Sequence, residues 1–333
     1  MPRMSEPGSG DDPLRRHAYR CLIGSTAVGK SRVALRLADR AGAEIVSLDS
    51  MQVYRGMDIG TAKATRAEQA RVRHHMLDLV EPSERFDVQQ YLHRLRPIVS
   101  DADARGQRLL FVGGTGFYLR ALVSGLFEGP AVDMAIRRGI EQRCDAEGNA
   151  ALHRELATID PSCAARIHVH DRKRLVRALE VFQQTGRPLS AWQREWYGED
   201  AGAGRAADAR IVGLELPAGE LDRRIATRVR SMLHAGWPEE AAAVRARTGF
   251  GPTAIQALGY REALALSDGA IELDACAASI ALATRQFARR QRTWHRKLVQ
   301  SRWCAAPAED AGGDALTPLV DELADAFGWH SAR

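Results

Sequence analysis

Gly24-Ser25-Thr26-Ala27-Val28-Gly29-Lys30-Ser31 decides how this chain is read. The octapeptide matches G-x-x-x-x-G-K-[ST], and its surroundings meet the condition that gives the pattern meaning. The run Arg20-Cys21-Leu22-Ile23 enters it as a short strand. Val33, Ala34, Leu37, Ala38 and Ala41 leave it at helical spacing. In a loop of this kind, backbone N–H groups at a helix N-terminus hold phosphate oxygens and the lysine reaches the outer phosphates. Gly24 to Ser31 are therefore the candidate di- or triphosphate site. Mg2+ is the expected cofactor, with the Ser31 hydroxyl as its first candidate ligand and Asp49 as the second.

Outward from the loop, Glu44–Leu48 and Leu109–Val112 read as further strands between helices. Strands alternating with helices predict an α/β fold: a P-loop NTPase-like core with a parallel sheet. Phosphoryl-transfer enzymes of that kind carry an acidic Mg2+ ligand at the end of an apolar strand. Here Leu109–Val112 runs into Gly113-Gly114-Thr115-Gly116, with no carboxylate. That weakens phosphoryl transfer and opens a second option, in which the phosphates are a leaving group rather than the group transferred. The second strand ends in Asp49-Ser50-Met51-Gln52, at the strand end that faces the ligand crevice of an open sheet. Three roles are open to Asp49: a water-bridged Mg2+ contact, a general base, or the ordinary cap of the following turn.

The remaining organisation is uneven. From Val132 to Trp196 no strand pattern survives, and Ala135–Ala146, Ala150–Thr158 and Arg172–Thr185 read as amphipathic helices. The expected layout is a leader at 1–18, a core at 19–130 and 208–304 that ends in a basic helix, an all-helical insertion at 131–207, and a loose tail at 305–333. Ala201–Ala207 reads as a linker, and Pro318–Phe327 as a short amphipathic helix inside the tail.

Composition removes several classes. The chain has 333 residues and a formal net charge of +5, with 45% hydrophobic residues, so it can bury a sizeable core. No apolar run reaches the ~18 residues of a membrane span, and Met1 to Arg20 has no signal-peptide core. Cys21, Cys144, Cys163, Cys276 and Cys304 form no C-x-x-C pair, which excludes a cysteine-rich zinc finger and a disulfide framework. A cytoplasmic monomer without membrane partners is expected. Only four of the 47 basic residues are lysine (Lys30, Lys63, Lys173 and Lys297). In so arginine-rich a chain, a lysine marks a position that suits a compact point charge.

Seven segments, in order, resemble the bacterial tRNA dimethylallyltransferase (tRNA isopentenyltransferase) family. They are Gly24–Ser31; Asp49–Arg55 with Met57–Lys63; His74–Asp78; Val112–Leu122; Asp171–Glu180; Leu258-Gly259-Tyr260-Arg261; and Thr284–Trp294. The resemblance implies transfer of a dimethylallyl group from dimethylallyl diphosphate to N6 of adenosine 37 of tRNA, beside the anticodon. It implies that Asp49 is the general base and that Thr26 lies near the reacting carbon. Arg228 would stabilise the departing diphosphate, with Arg224 the weaker candidate. It further implies tRNA contacts at Asp49, Ser50, Met51, Gln52, Thr115 and Arg137, and along Lys173, Arg174, Leu175, Val176 and Arg177. Others are expected at Gln256, Gly259, Tyr260 and Arg261, and at Thr284, Arg285, Gln286, Arg289, Arg290 and Gln291. Ser25, Val28 and Ala64 depart from the family's usual Pro, Ser and Pro, and Val28 offers the diphosphate no hydroxyl.

From Ala281 to Trp303 there is no acidic residue, and Arg285, Arg289, Arg292 and Arg296 share one helix face. Such a stripe is an electrostatic footprint for nucleic acid. Ile280, Phe287 and Trp294 are expected to form the buried face. His74 and His75 lack partners at zinc spacing and read as structural. Competing readings are a P-loop small-molecule kinase, an adenylate isopentenyltransferase acting on free nucleotide, and a non-catalytic RNA-binding module. The first two do not need the basic helix, and the third does not need the intact phosphate loop or Asp49.

Overall fold

Arg20–Gly24 (β1), Ala43–Leu48 (β2), His74–His75 (β3), Arg108–Gly113 (β4), Arg210–Glu215 (β5) and Arg302–Ala305 (β6) form one sheet in the order β3-β2-β4-β1-β5-β6. The computed structural model describes residues 12–125, 129–130, 132–197, 209–298, 302–309, 312 and 314–329. Every strand pair is parallel. Strands covered by helices on both faces need apolar side chains on both, so they read as continuous apolar runs rather than alternating ones. β2 is buried along its whole length, and β1 from Cys21 onward. The register pairs Leu48 with Gly113, Ile23 with Gly113, and Gly24 with Leu214. The carboxyl ends of β1, β2 and β4 are therefore level. That places the phosphate loop, Asp49 and Gly114-Thr115 along one edge, where ligands of open parallel sheets bind.

Two units make up the chain: Met1–Val123 with Ala206–Arg333, and Ser124–Arg205. The first is the α/β core. Its helices include the phosphate-loop helix Lys30–Ala41, a basic helix Leu273–Leu298 and a C-terminal helix Thr317–Phe327. The expected Ala201–Ala207 linker lies outside the described residues.

The tail expected to be loose is part of this core. Val320, Leu323, Phe327 and Trp329 are buried with Leu22, Leu37, Val212 and Leu214. Arg20 Nε also donates to the Phe327 carbonyl at 2.9 Å. The helical spacing is legible, but the surface it covers is built from β1, β5 and the phosphate-loop helix, distant in sequence. The leader needs a similar correction from residue 12. Asp12 caps the helical turn Pro13–Arg16, Leu14 is buried, and the Tyr19 hydroxyl donates to the Leu14 carbonyl at 2.6 Å.

The basic helix buries a different face from the expected one. Ile280 is buried, but Phe287 and Trp294 are only half-buried. The buried positions are Cys276, Ala277, Ile280, Ala281, Ala288, Gln291 and His295. A strict seven-residue series drifts by ~20° per heptad on a straight helix, which carries Phe287 and Trp294 to the edge of the interface.

The second unit holds five helices, Met134–Glu147, Asn149–Ile159, Pro161–Ala164, Arg172–Thr185 and Leu189–Tyr197, with no strand among its described residues. Ile140, Leu152, Leu156, Leu175, Val176 and Leu179 are among its core side chains. Glu180 is fully buried within it. Its carboxylate accepts from the Asp133 N–H at 3.0 Å and from Arg137 Nη2 at 2.7 Å, and it pairs with Arg177 Nη1 at 3.2 Å. Glu180→Leu strands those donors and should cost about 3 kcal/mol, at the low end for breaking a buried ion pair because both arginines retain some solvent exposure. Urea unfolding of the full chain, followed by far-UV dichroism, measures it.

Candidate active site

The phosphate loop is shaped by its neighbours. Gly24 has φ +152°, and a Cβ there would lie 2.7 Å from the Leu214 carbonyl oxygen of β5, so only glycine fits. Ala27 also takes a left-handed conformation, with φ 64°. Val28 is fully buried in the sheet core, which accounts for an apolar residue at that position. Lys30 folds back over the loop and donates to the carbonyls of Gly24 at 2.9 Å and Ser25 at 2.8 Å. Burial pushes its ammonium down to about 7; nearby Arg228 adds to the shift and Asp49 opposes it. Ser31 is exposed at the start of the following helix.

Asp49 sits at the end of β2 and is half-buried. Its Oδ1 accepts from the Met51 N–H at 2.8 Å and the Gln52 N–H at 3.4 Å, the expected cap. Among the described residues Oδ2 accepts no hydrogen bond. Burial holds the carboxyl above its ordinary range, against the two N–H groups and the charges of Lys30 and Arg228. A cap and a base are thus compatible, because they use different oxygens. Thr115 brackets the position: its N–H donates to the Leu48 carbonyl at 3.2 Å, and its hydroxyl accepts from the Ser50 N–H at 3.3 Å.

The segment after Asp49 is tied down by three polar side chains. Gln52 accepts from the Ser47 hydroxyl at 2.8 Å and donates to the carbonyls of Thr61 and Ala62, each at 3.2 Å. Lys63 is buried and donates to the Tyr54 carbonyl at 2.7 Å and to Asp58 and Asp78 at 2.6 Å each. Its point charge staples three segments. Glu240, which the sequence alone does not single out, accepts from the N–H groups of Asp58, Ile59 and Gly60 and from the Tyr260 hydroxyl. A glutamate beside Glu239 in the first turn of a helix gives no sequence signal that its partners are backbone amides 180 residues earlier.

The two arginine candidates separate cleanly. Arg224 is buried and engaged, donating to Glu220 at 2.9 Å and to the Pro307 carbonyl at 2.8 Å. Arg228, one turn on, makes no hydrogen bond or ion pair among the described residues. Burial lowers its guanidinium, and its charge is felt at both Asp49 and Lys30. The charges of Lys30 and Arg228 both favour the ionised form of Asp49.

A sequence model described as IPP transferase matches residues 52–298. The chain is a member of the IPP transferase family. It is 42% identical over 289 residues to the tRNA dimethylallyltransferase of Geobacter sulfurreducens, an alignment covering 86% of this chain and 91% of that protein. It is 39% identical to the tRNA dimethylallyltransferase of Heliobacterium modesticaldum, over 94% and 97% of the two chains. Its structure is similar to that of the tRNA isopentenylpyrophosphate transferase of Bacillus halodurans. The TM-score is 0.64 at 33% identity, covering 92% of this chain and 96% of that one.

In this IPP transferase the expected tRNA contacts outside the Asp49–Gln52 and Thr115 crevice fall into two groups. Some are at the surface: Arg285 and Arg292 are half-buried, and Gln256, Arg261, Gln286, Arg289 and Arg290 are exposed. Arg285, Arg289, Arg290 and Arg292 have no ion-pair partner among the described residues, whereas Arg296 pairs with Glu215 at 3.0 Å. Others are committed within the fold. Arg137 and Arg177 bind Glu180, whereas Arg174 stays exposed and makes only a surface pair with Asp171 at 2.7 Å. Leu175 and Val176 are core side chains of the helical unit, which corrects the expectation that they face RNA. Tyr260 is fully buried on Glu240, Gly259 caps its helix, and Thr284 donates to the Ile280 carbonyl. Gln291 is buried at the phosphate loop. The Lys297 side chain lies outside the described residues. His74 and His75 bond to the Val72 carbonyl and Glu44, as structural histidines do.

His295 carries no signal in the sequence. It is fully buried, its ring close to the Gly114 backbone, yet among the described residues neither nitrogen finds a hydrogen bond of normal geometry. Burial pushes its imidazole down to about 4, and Lys30 reinforces the shift. Unfolding lets the ring protonate near its ordinary value, so stability falls as pH drops from about 6.5 toward 4, by up to about 3 kcal/mol. His295→Phe should flatten that part of a stability-versus-pH curve. An unchanged curve would show that His295 does not set it.

Proposed function

We propose that this IPP transferase moves a dimethylallyl group from dimethylallyl diphosphate to N6 of adenosine 37 in tRNA. The observation that carries the reading is a phosphate loop with Lys30 seated on its carbonyls and, at the neighbouring strand end, Asp49 whose Oδ2 accepts no hydrogen bond among the described residues, on a sheet edge with no carboxylate directly after β4. Nucleophilic displacement needs a cationic cradle for a leaving diphosphate and a base for the incoming amine, and these residues supply both.

In the reaction, the adenine N6 bonds to the allylic C1 as the C1–O bond to diphosphate breaks. Asp49 Oδ2 takes the amine proton. Lys30, the loop amides and Arg228 take up the charge gathering on the diphosphate. The exposed Ser31 hydroxyl is a hard oxygen donor that would hold Mg2+, with Asp49 reaching the ion only through water so that Oδ2 stays available to the amine. Bound there, Mg2+ would add positive charge beside the leaving group. The target base must leave its stack to reach the crevice. Arg285, Arg289, Arg290 and Arg292 lack acidic partners among the described residues, which suits a phosphate backbone and argues against free AMP as the acceptor. Among the described residues no helix is long and apolar enough to cross a membrane.

The test is incubation with dimethylallyl diphosphate and Mg2+ and either tRNA or AMP, followed by mass spectrometry of the nucleosides. Prenylated adenosine from tRNA alone is the expected result. Product from AMP alone, or ATP turnover without prenyl transfer, would overturn the reading. Replacing Arg289 and Arg290 by alanine should raise KM for tRNA and flatten its salt dependence, by ~0.9 in log–log slope for each phosphate that is no longer neutralised.

A further inference from the structure

The basic helix reaches the phosphate loop through Gln291. This side chain is buried, although it lies in the most arginine-rich stretch of the chain. Its Oε1 accepts from the Thr26 N–H at 2.9 Å, and its Nε2 donates to the Gly114 carbonyl at 3.0 Å. The partners fix the amide's orientation, since a flip would set NH2 against N–H and oxygen against oxygen. The fit is close: a Cβ on Gly114 would lie 2.2 Å from Gln291 Nε2 and 3.1 Å from the Gly24 carbonyl oxygen. One turn later, His295 fills the same buried face. An amide of the phosphate loop is thus held by a side chain 265 residues away.

We propose that Gln291 is a positioning residue for the diphosphate. Its carboxamide spans from the phosphate loop at Thr26 to the turn after β4 at Gly114. It fixes the spacing of the two loops and points the remaining loop amides at the leaving group. The proposal rests on reading Gly24–Ser31 as the diphosphate site, and it replaces a direct tRNA contact for this residue. The carboxamide is buried with each end bonded inside the protein, which keeps it from the surface where RNA would bind.

Two full-length variants test it. Gln291→Met keeps the length and removes both hydrogen bonds. Gln291→Glu keeps an acceptor for Thr26 but sets a carboxylate against the Gly114 carbonyl and beside the bound anion. Calorimetry with inorganic diphosphate and Mg2+ reads the site without tRNA, and steady-state kinetics reads KM for each substrate. Gln291→Met should weaken diphosphate binding and raise KM for dimethylallyl diphosphate about tenfold, the scale of one missing hydrogen bond. KM for tRNA should stay within about twofold, since every group that grips the RNA backbone is retained. Gln291→Glu should lose more diphosphate affinity than Gln291→Met.

A raised KM for tRNA with unchanged diphosphate binding would overturn the proposal and return Gln291 to the RNA surface. Equal losses for both substrates with a lowered Tm would reduce it to a fold-stabilising residue. Should the wild type bind diphosphate in a Gln291-dependent way yet prenylate no RNA, the positioning role stands and the reaction assignment fails.

Discussion

Asp49→Ala should lower kcat by ~10²–10⁴ while leaving the affinity for tRNA within a few-fold, the range expected for a general base. Among the described residues the carboxylate accepts hydrogen bonds only through Oδ1, from the Met51 and Gln52 amides, which leaves Oδ2 for the proposed proton transfer. Asp49→Asn separates the two jobs. It can still cap the turn through its carbonyl but cannot take a proton, so it should be as slow as Asp49→Ala while restoring any stability that alanine loses. The pH dependence has a defined sign. Burial raises the carboxyl above its ordinary range, and the base must be ionised to act. In the wild type, kcat/KM should therefore fall as pH drops through that raised value, with a slope approaching one. A variant lacking the base loses this limb. Near-wild-type turnover by Asp49→Asn would show that Asp49 only caps.

Much of this site is legible in the sequence because its parts are local. A strand, a glycine-rich octapeptide and a helix start are contiguous, so Gly24–Ser31 announces itself. Asp49 is legible by the same logic, since strand ends face the crevice. The insertion is legible as a long stretch without strand pattern. The staples of the site are not local. Glu240 holds amides at Asp58–Gly60, Gln291 holds Thr26, and the C-terminal helix covers the β1–β5 face. Each looks ordinary in its own segment: a helix glutamate, a glutamine among arginines, a short amphipathic tail. Motif-matching also overreaches in a characteristic way. A matched segment carries its framework residues along with its ligand-facing ones, so Leu175, Val176 and Tyr260 group with arginines that reach the surface although they pack inward. Alternation along a helix separates the two classes only after the buried face is known, and the heptad drift of Ile280, Phe287 and Trp294 shows how that face is misplaced.

Lys30→Met should lower kcat/KM for dimethylallyl diphosphate by ~10²–10³, the usual loss when one group that stabilises a developing anion is removed from a preorganised site. The wild-type pH profile carries a second signature of this lysine. Without ligand its ammonium is pushed down to about 7, because burial and Arg228 outweigh Asp49. A bound diphosphate favours the charged form and raises that value. Above pH 7 the free enzyme is therefore largely neutral at Lys30, and binding must draw in a proton. Diphosphate affinity should weaken by up to about tenfold per pH unit above 7, until pH reaches the value in the complex. Lys30→Met removes this dependence. Lys30→Arg keeps a charge at every pH and should also flatten the profile, yet recover little activity. Lys30 Nζ sits within 2.9 Å of the Gly24 and Ser25 carbonyls, a seat cut for a compact ammonium rather than a planar fork. In a chain that uses arginine for 43 of its 47 basic residues, that misfit is why lysine stands here. Full activity in Lys30→Arg would show that charge alone is required and that the seat is incidental.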